Sequence, residues 1–291
     1  MMEGSLYSAE GSDTLEVPAH QLRPRWSLRA VPFILVHLLP LAAFWLPVSL
    51  LDWLVCFVLF AVRMLFFAAF THRYFCHRAF RTSRVFQFIM ACLGTTSGLR
   101  SPLWFASVHW VHHRFPDTDR DVHSPRRGFW FSHVGWLFCP RWDETRTKHL
   151  GSLNDYPELL WLDRNWLVPP TVVAALTLGL GGWSTFIIGF VLSTTILLHV
   201  TLCGASVAHV MGTRRFDTAD TSGNVAWLAL ISFGEGWHNN HHQHPRSARL
   251  GLTSRELDLG YLFLLGLERL GLIWDLRLPQ SDALRRQTES E

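Results

Sequence analysis

The sequence predicts an all-α integral membrane protein of four transmembrane helices, with a histidine-rich metal site on the cytoplasmic side. Three observations carry this reading: uncharged apolar stretches, the placement of Lys and Arg, and three short histidine clusters. Of the 291 residues 49% are apolar and 14 are Trp, and the apolar residues come in runs. Residues 31–47 and 53–70 carry a single charge, Arg63, and residues 167–203 carry none. A helix needs about 20 such residues to cross the hydrocarbon core, so the first two stretches supply one crossing each. The third is long enough for two if the chain turns at Gly179, Gly181 and Gly182, a cluster that a straight helix disfavours. The expected spans are about 31–47, 53–71, 166–182 and 184–204.

Charge orients this layout. Every Lys and Arg except Arg63 lies before the first span, between the second and third, or after the fourth. The positive-inside rule then puts both termini and the long middle segment in the cytoplasm. Arg63, inside its span, is read as structural, snorkelling or pairing in the bundle. Residues 1–29 lack the apolar core of a signal peptide and read as a mobile tail; residues 280–291 read as a second. Cys56, Cys76, Cys92, Cys139 and Cys203 are scattered without C-x-x-C spacing, against both disulfides and a thiolate metal site. A net charge of +3 suits a cytoplasmic face against anionic membrane lipid and gives no support for binding nucleic acid.

The histidine clusters are His72 with His77; His109, His112 and His113; and His238, His241 and His242. Imidazole is a good ligand for iron, copper and zinc, and eight rings exceed what one ion uses, so two ions are the natural count. The chain crosses the bilayer twice between the second and third clusters, so all eight fall on one side. In a helix, residues at i, i+3 and i+4 share a face, which brings together the rings of each H-x-x-H-H string. His72 and His77 are out of phase in an ideal helix; they converge only if they bracket a site or the helix distorts near its end.

The remaining polar segments are read more simply. Residues 85–94 are too short to span and form a re-entrant or interfacial helix, and 254–276 read as one amphipathic helix lying on the membrane. His123 and His133 are assigned structural hydrogen bonds, and His199 a neutral helix-to-helix bond inside span four. His20, His37, His149 and His244 carry no chemical signal.

The strings HRYFCHR, HWVHHRFPDTDRDVHSPRRGFWFSHVGW, SVAHVMGTRRFDTADTSGN and FGEGWHNNHHQHPRSARLGL, followed by GLIWDLRLP, resemble the membrane fatty acid desaturases, specifically the bacterial acyl-CoA desaturases related to the animal stearoyl-CoA enzymes. The resemblance implies a desaturase domain over 30–279, with four transmembrane helices under a cytosolic helical cap (72–165 and 205–279). It implies two iron ions held by nine histidines, the ninth being His209 of the S-x-A-H motif, which by itself reads as a core residue at a helix end. Two positions depart from the family pattern. Ala205 stands where an Asn usually contacts one iron through water, leaving that water unsupported or held by Ser206 or another group. Trp110 stands where the animal-type enzymes have Arg.

Removing two hydrogens from an unactivated alkyl chain requires a strong oxidant, which a metal centre and O2 supply together. By resemblance the product is a cis double bond, of Δ9 type, in an acyl-CoA or acyl-lipid. The chain carries no flavin fingerprint, haem domain or Cys-rich ferredoxin segment, so a separate donor is implied: a ferredoxin or haem protein with its NAD(P)H reductase. Glu235, with Asp119 and Asp121, is read as orienting ligand rings from behind. Arg126 and Arg127 are candidates for a thioester or headgroup phosphate, and Trp104, Phe105, Phe129, Trp130 and Trp136 for the wall of an acyl tunnel. A histidine-box hydroxylase or ketolase is the alternative within this chemistry, and a non-enzymatic membrane metal-binding protein or transporter the alternative outside it.

Overall fold

The computed structural model describes residues 23–25 and 28–279. His20, most of the expected N-terminal tail and the whole C-terminal tail lie outside the described residues. Helix α1, Val31–Leu38, tightens into a 3-10 continuation, Leu39–Trp45, where Pro40 removes a backbone donor. Helix α2, Leu50–Phe66, starts from a capping box in which Ser49 and Asp52 bond each other's backbone N–H. It runs on as a widened π-helical stretch, Phe67–Cys76. Helix α7, Val168–Ser184, breaks at Gly182 (φ 73°, ψ −167°), a backbone region that only glycine occupies readily. The arm beyond it, a π-helical Thr185–Leu192 followed by helix α8, Ser193–Ala205, folds back against α7 and packs on α2. The glycine cluster was expected to turn the chain, and the break falls on its third member.

Two helical runs, Leu50–Cys76 and Val168–His209, are long and apolar enough to cross a membrane, and Val31–Trp45 is a shorter apolar helix. Leu51, Leu54, Phe57 and Val58 on α2, and Val172, Leu176 and Leu180 on α7, are exposed. An apolar flank of this extent suits lipid better than water. Thr185 donates to Asp52 at 2.5 Å, so the connection before α2 and the Gly182 break meet at one end of the bundle. The histidines gather at the other.

At the histidine end lie shorter helices: α3 (Arg84–Thr95), α4 (Pro102–Arg114), α5 (Phe129–His133), α6 (Pro157–Arg164), α9 (Ala226–Ile231), α10 (His238–Gln243) and α11 (Leu259–Arg269). Ser101 caps α4 by accepting from Trp104 N at 3.0 Å, with Pro102 at the first helical position. The amphipathic helix expected over 254–276 is shorter. Asp258 caps α11 by accepting from Tyr261 N at 2.9 Å, and the chain leaves the helix just before Gly271, at φ 69°. Ile273–Trp274 then pairs antiparallel with Arg81–Thr82. Phe70, Met90, Leu103, Leu159 and Leu264 join the π-helical stretch, α3, α4, α6 and α11 in one buried core.

His199 makes the expected helix-to-helix bond, to His37 at 2.8 Å, and also meets His133 at 2.9 Å. His133 in turn reaches the Ser206 hydroxyl at 2.8 Å.

Candidate metal centre

Nine imidazoles converge in two adjoining groups. His72, His77, His109, His113 and His241 form one, and His112, His209, His238 and His242 the other; within each, the candidate ligand atoms lie within 4.8 Å of one another. Each H-x-x-H-H string serves both groups. The i, i+4 pairs His109/His113 and His238/His242 stay together, while the intervening His112 and His241 each turn to the opposite group.

The first pair meets because of the local helix. In the π-helical stretch Phe67–Cys76, the i→i+5 turn is wider than an α-turn, so residues five apart come round to one side. His72 and His77 Nε2 are 3.2 Å apart, and His109 Nε2 lies 3.1 Å from the first and 2.8 Å from the second. The helix thus distorts at its end, one of the two arrangements that lets this spacing converge.

The outer nitrogens of four rings face carboxylates. His112 Nδ1 is 3.0 Å from Asp121, His209 Nδ1 3.0 Å from Asp117, and His242 Nδ1 2.7 Å from Asp220; His72 Nδ1 faces Glu235. A proton shared with a carboxylate at Nδ1 leaves Nε2 of those four rings as a lone pair, and the Nε2 atoms of neighbouring rings in each group face one another. Nε2 atoms of His209 and His238 are 3.1 Å apart, those of His113 and His241 2.9 Å. Facing lone pairs repel unless a cation lies between them. With metal–nitrogen bonds of about 2.0–2.1 Å, the edge of a coordination polyhedron is roughly 3 Å. The donor set therefore fits two metal ions.

Electrostatics favour the ligand form of these rings. Burial, then the neighbouring imidazoles, pushes His77, His109, His113, His238 and His241 well below the ordinary histidine pKa, and burial brings His242 to about 4 against the pull of Asp220. His112 moves up because Asp121, Asp117 and Asp220 outweigh its burial. Although burial would raise Asp117, its bond to His209 holds it at about 2. Neutral imidazole and ionised carboxylate are the forms that metal binding requires.

A largely apolar cavity opens onto both groups, with His72, His109, His112 and His238 on its wall beside Met64, Phe67, Leu99, Phe105, Leu228 and other apolar side chains. Arg73, buried beside it, bonds Glu235 (3.2 Å), Asp258 (2.9 Å), Phe233 O and Ala248 O, pinning the segment that carries Glu235.

The structure distributes the other sequence candidates unevenly. Asp119 is exposed, and Asp117 and Asp220 reach the rings in its place. Trp104, Phe105 and Trp136 line the cavity, but Phe129 (37% exposed) and Trp130 (75%) face outward from α5. Arg126 is exposed, Arg127 lies over the Phe131 ring at 3.6 Å, and neither lines the cavity. His123 is part of the site's surroundings, its ring 4.3 Å from that of His112 and on the cavity wall. Trp110 stacks on His149 at 3.7 Å. Ala205 lines the cavity, and the Ser206 hydroxyl is engaged with His133 and Leu202 O.

Asp117 and Asp220 were missed although both stand in the quoted strings. Residues 115–123 form turns rather than a helix, so no periodicity separated Asp117 and Asp121 from Asp119.

Residues 49–254 match the family model for fatty acid desaturase. The chain is 34% identical over 265 residues to a hex-5-enoyl-[acyl-carrier protein] acetylenase of Moorena producens (strain JHB), covering 81% of this chain and 79% of the relative. It is 37% identical over 224 residues to delta-9 acyl-lipid desaturase 1 of Arabidopsis thaliana (74% and 72%). With an acyl-CoA C20 delta5-desaturase of Anemone leveillei it shares 33% identity over 238 residues (80% and 76%).

Proposed function

The chain belongs to the fatty acid desaturase family, an oxidoreductase acting on fatty acyl chains, and from that premise we propose that it is a di-iron enzyme introducing a cis double bond into an acyl-CoA or acyl-lipid, of Δ9 type. The observation that carries the di-iron reading is the division of nine imidazoles into two groups with inward Nε2 atoms, four of the rings backed by a carboxylate at Nδ1. His72, His77, His109, His113 and His241 would hold one iron, and His112, His209, His238 and His242 the other. When bound, the iron pair supplies, with O2, the oxidising power that abstracts hydrogen from unactivated carbon.

The chain's own residues perform the rest. Asp117, Asp121, Asp220 and Glu235 fix ring orientation and place negative charge behind the ligands. The apolar cavity holds the acyl chain against the inward face of the cluster and keeps bulk water away. Fixing two neighbouring methylenes there, rather than any side-chain acid or base, determines which bond is oxidised.

We place four crossings at about 31–47, 53–71, 166–182 and 184–204, with both termini and the site on the cytoplasmic side. A separate donor, ferredoxin or haem protein with its reductase, delivers the electrons. The relatives' names span three acyl carriers and more than one bond position, so the test must report the product. Mass spectrometry of lipids from cells expressing the chain should find new monoenes, absent with His241→Ala; an alcohol or ketone in their place would contradict the reading.

A further inference from the structure

The two groups of imidazoles are unequal, five in the first and four in the second. A tenth imidazole stands beside the smaller group. His123 is 9% exposed, and its ring lies 4.3 Å from that of His112 and 6.5 Å from that of His209. Rings within the group are 4.5 to 6.4 Å apart. The ligand rings meet Nε2 to Nε2 at 3.1–3.2 Å, a contact that His123 does not make, so it stands just outside their polyhedron.

The His123 ring is left without a protein partner. Asp121 is already engaged by His112 Nδ1 at 3.0 Å, by Asp117 N at 2.8 Å and by the backbone N–H of His123 at 3.2 Å. It lies 3.9 Å from His123 Nδ1, beyond hydrogen-bond reach. Among the described residues His123 Nε2 has no hydrogen-bond partner either. The nearby carboxylate favours the proton on Nδ1 and so makes Nε2 an acceptor, in a ring that lines the cavity. Trp136 Nε1 is also buried without a partner, its ring 5.5 Å from that of His123 on the same wall. Buried polar groups seldom go unpaired, and two side by side on a cavity wall suit a small polar guest. The facing helix offers no competitor: Ala205, four residues before His209, lines the cavity with a methyl group, and Ser206 is engaged with His133 and Leu202 O.

We propose that His123 holds a water molecule as the fifth ligand of the four-histidine group, its Nε2 accepting from the water while Trp136 Nε1 donates to it. This rests on the two-metal reading of the nine imidazoles and deepens it. One metal is ringed by five imidazoles, and the other by four and an exchangeable molecule on the cavity side.

The test is the visible spectrum of the purified full chain loaded with Co2+, read beside its metal content, because cobalt absorbs weakly with five ligands and more strongly with four. Wild type should show five-coordinate cobalt in both groups. His123→Phe, which keeps the ring but no nitrogen, should still bind two cobalts, with absorption raised at least about twofold as the second sheds its water. His123→Gln, whose amide can stand in for Nε2, should keep the wild-type spectrum. A four-coordinate signal in wild type, an unchanged spectrum in His123→Phe, or equal rises in the Phe and Gln variants overturns the inference. Should His123→Phe hold fewer than two cobalts, His123→Leu is read in its place, and metal loss from both makes His123 a ligand or a packing residue and equally overturns it. Wild type that binds two cobalts with the expected spectra, yet forms no alkene when loaded with iron, removes the desaturase reading and leaves this inference standing.

Discussion

Asp220 Oδ2 lies 2.7 Å from His242 Nδ1, and the same carboxylate accepts from Ser222 N at 2.9 Å through its other oxygen. The outer nitrogen of the ring is thereby tied to a fixed acceptor, and its inner nitrogen is left free to face His112 and His238 at 3.2 and 3.1 Å. Asp220→Asn keeps the shape but removes the charge. Loss of such a partner typically lowers metal affinity about 10- to 100-fold, so the variant should surrender metal to a chelator at correspondingly lower concentration, with its helical content unchanged by circular dichroism.

Asp117 and Asp119 make a sharper comparison. Asp117 bonds His209 and also accepts from Thr221 N and Oγ1, while Asp119 is exposed. Asp117→Ala should reduce bound metal and product formation at least tenfold, and Asp119→Ala should leave both within about twofold of wild type. Equal losses in metal content would contradict the assignment.

Gly182 allows the chain to reverse at φ 73° and ψ −167°. A residue with a Cβ is strained there by about 1–3 kcal/mol, so Gly182→Ala should lower the thermal midpoint in detergent. Product formation by the protein that remains folded should be retained, because the break and the histidines lie at opposite ends of the bundle. A midpoint equal to wild type would argue against this turn.

Sidedness can be checked by labelling a cysteine-free background with a membrane-impermeant thiol reagent. Trp183→Cys, beside the Gly182 break, should react only from the non-cytoplasmic side, and Arg126→Cys only from the cytoplasmic side. Labelling of both from one side would remove the four-crossing topology.

Much of this was legible because it follows from local pattern. The uncharged runs, the glycine break and the i, i+4 histidines are properties of consecutive residues, and the structure places them as local geometry requires. His72 and His77 could not be resolved from periodicity, because the stretch they belong to is π-helical and no composition rule signals that. Asp220 was invisible for another reason: it lies 22 residues from His242 and meets it only through the turn that follows His209. Trp130 was misplaced because an aromatic beside a functional motif fits a tunnel wall and a lipid-facing surface equally well. The C-terminal helix was read too long because its apolar spacing continues past Gly271, where the backbone turns into a strand pairing with Arg81–Thr82.

The central claim is that imidazoles from separated segments hold two irons in two groups, and it is tested most directly by metal analysis of the purified protein. The account predicts two irons per chain for wild type, and about one for either His77→Ala or His238→Ala, each of which strips a ligand from a different group. Fewer than two in fully loaded wild-type protein, or loss of all metal from one variant and none from the other, would contradict it.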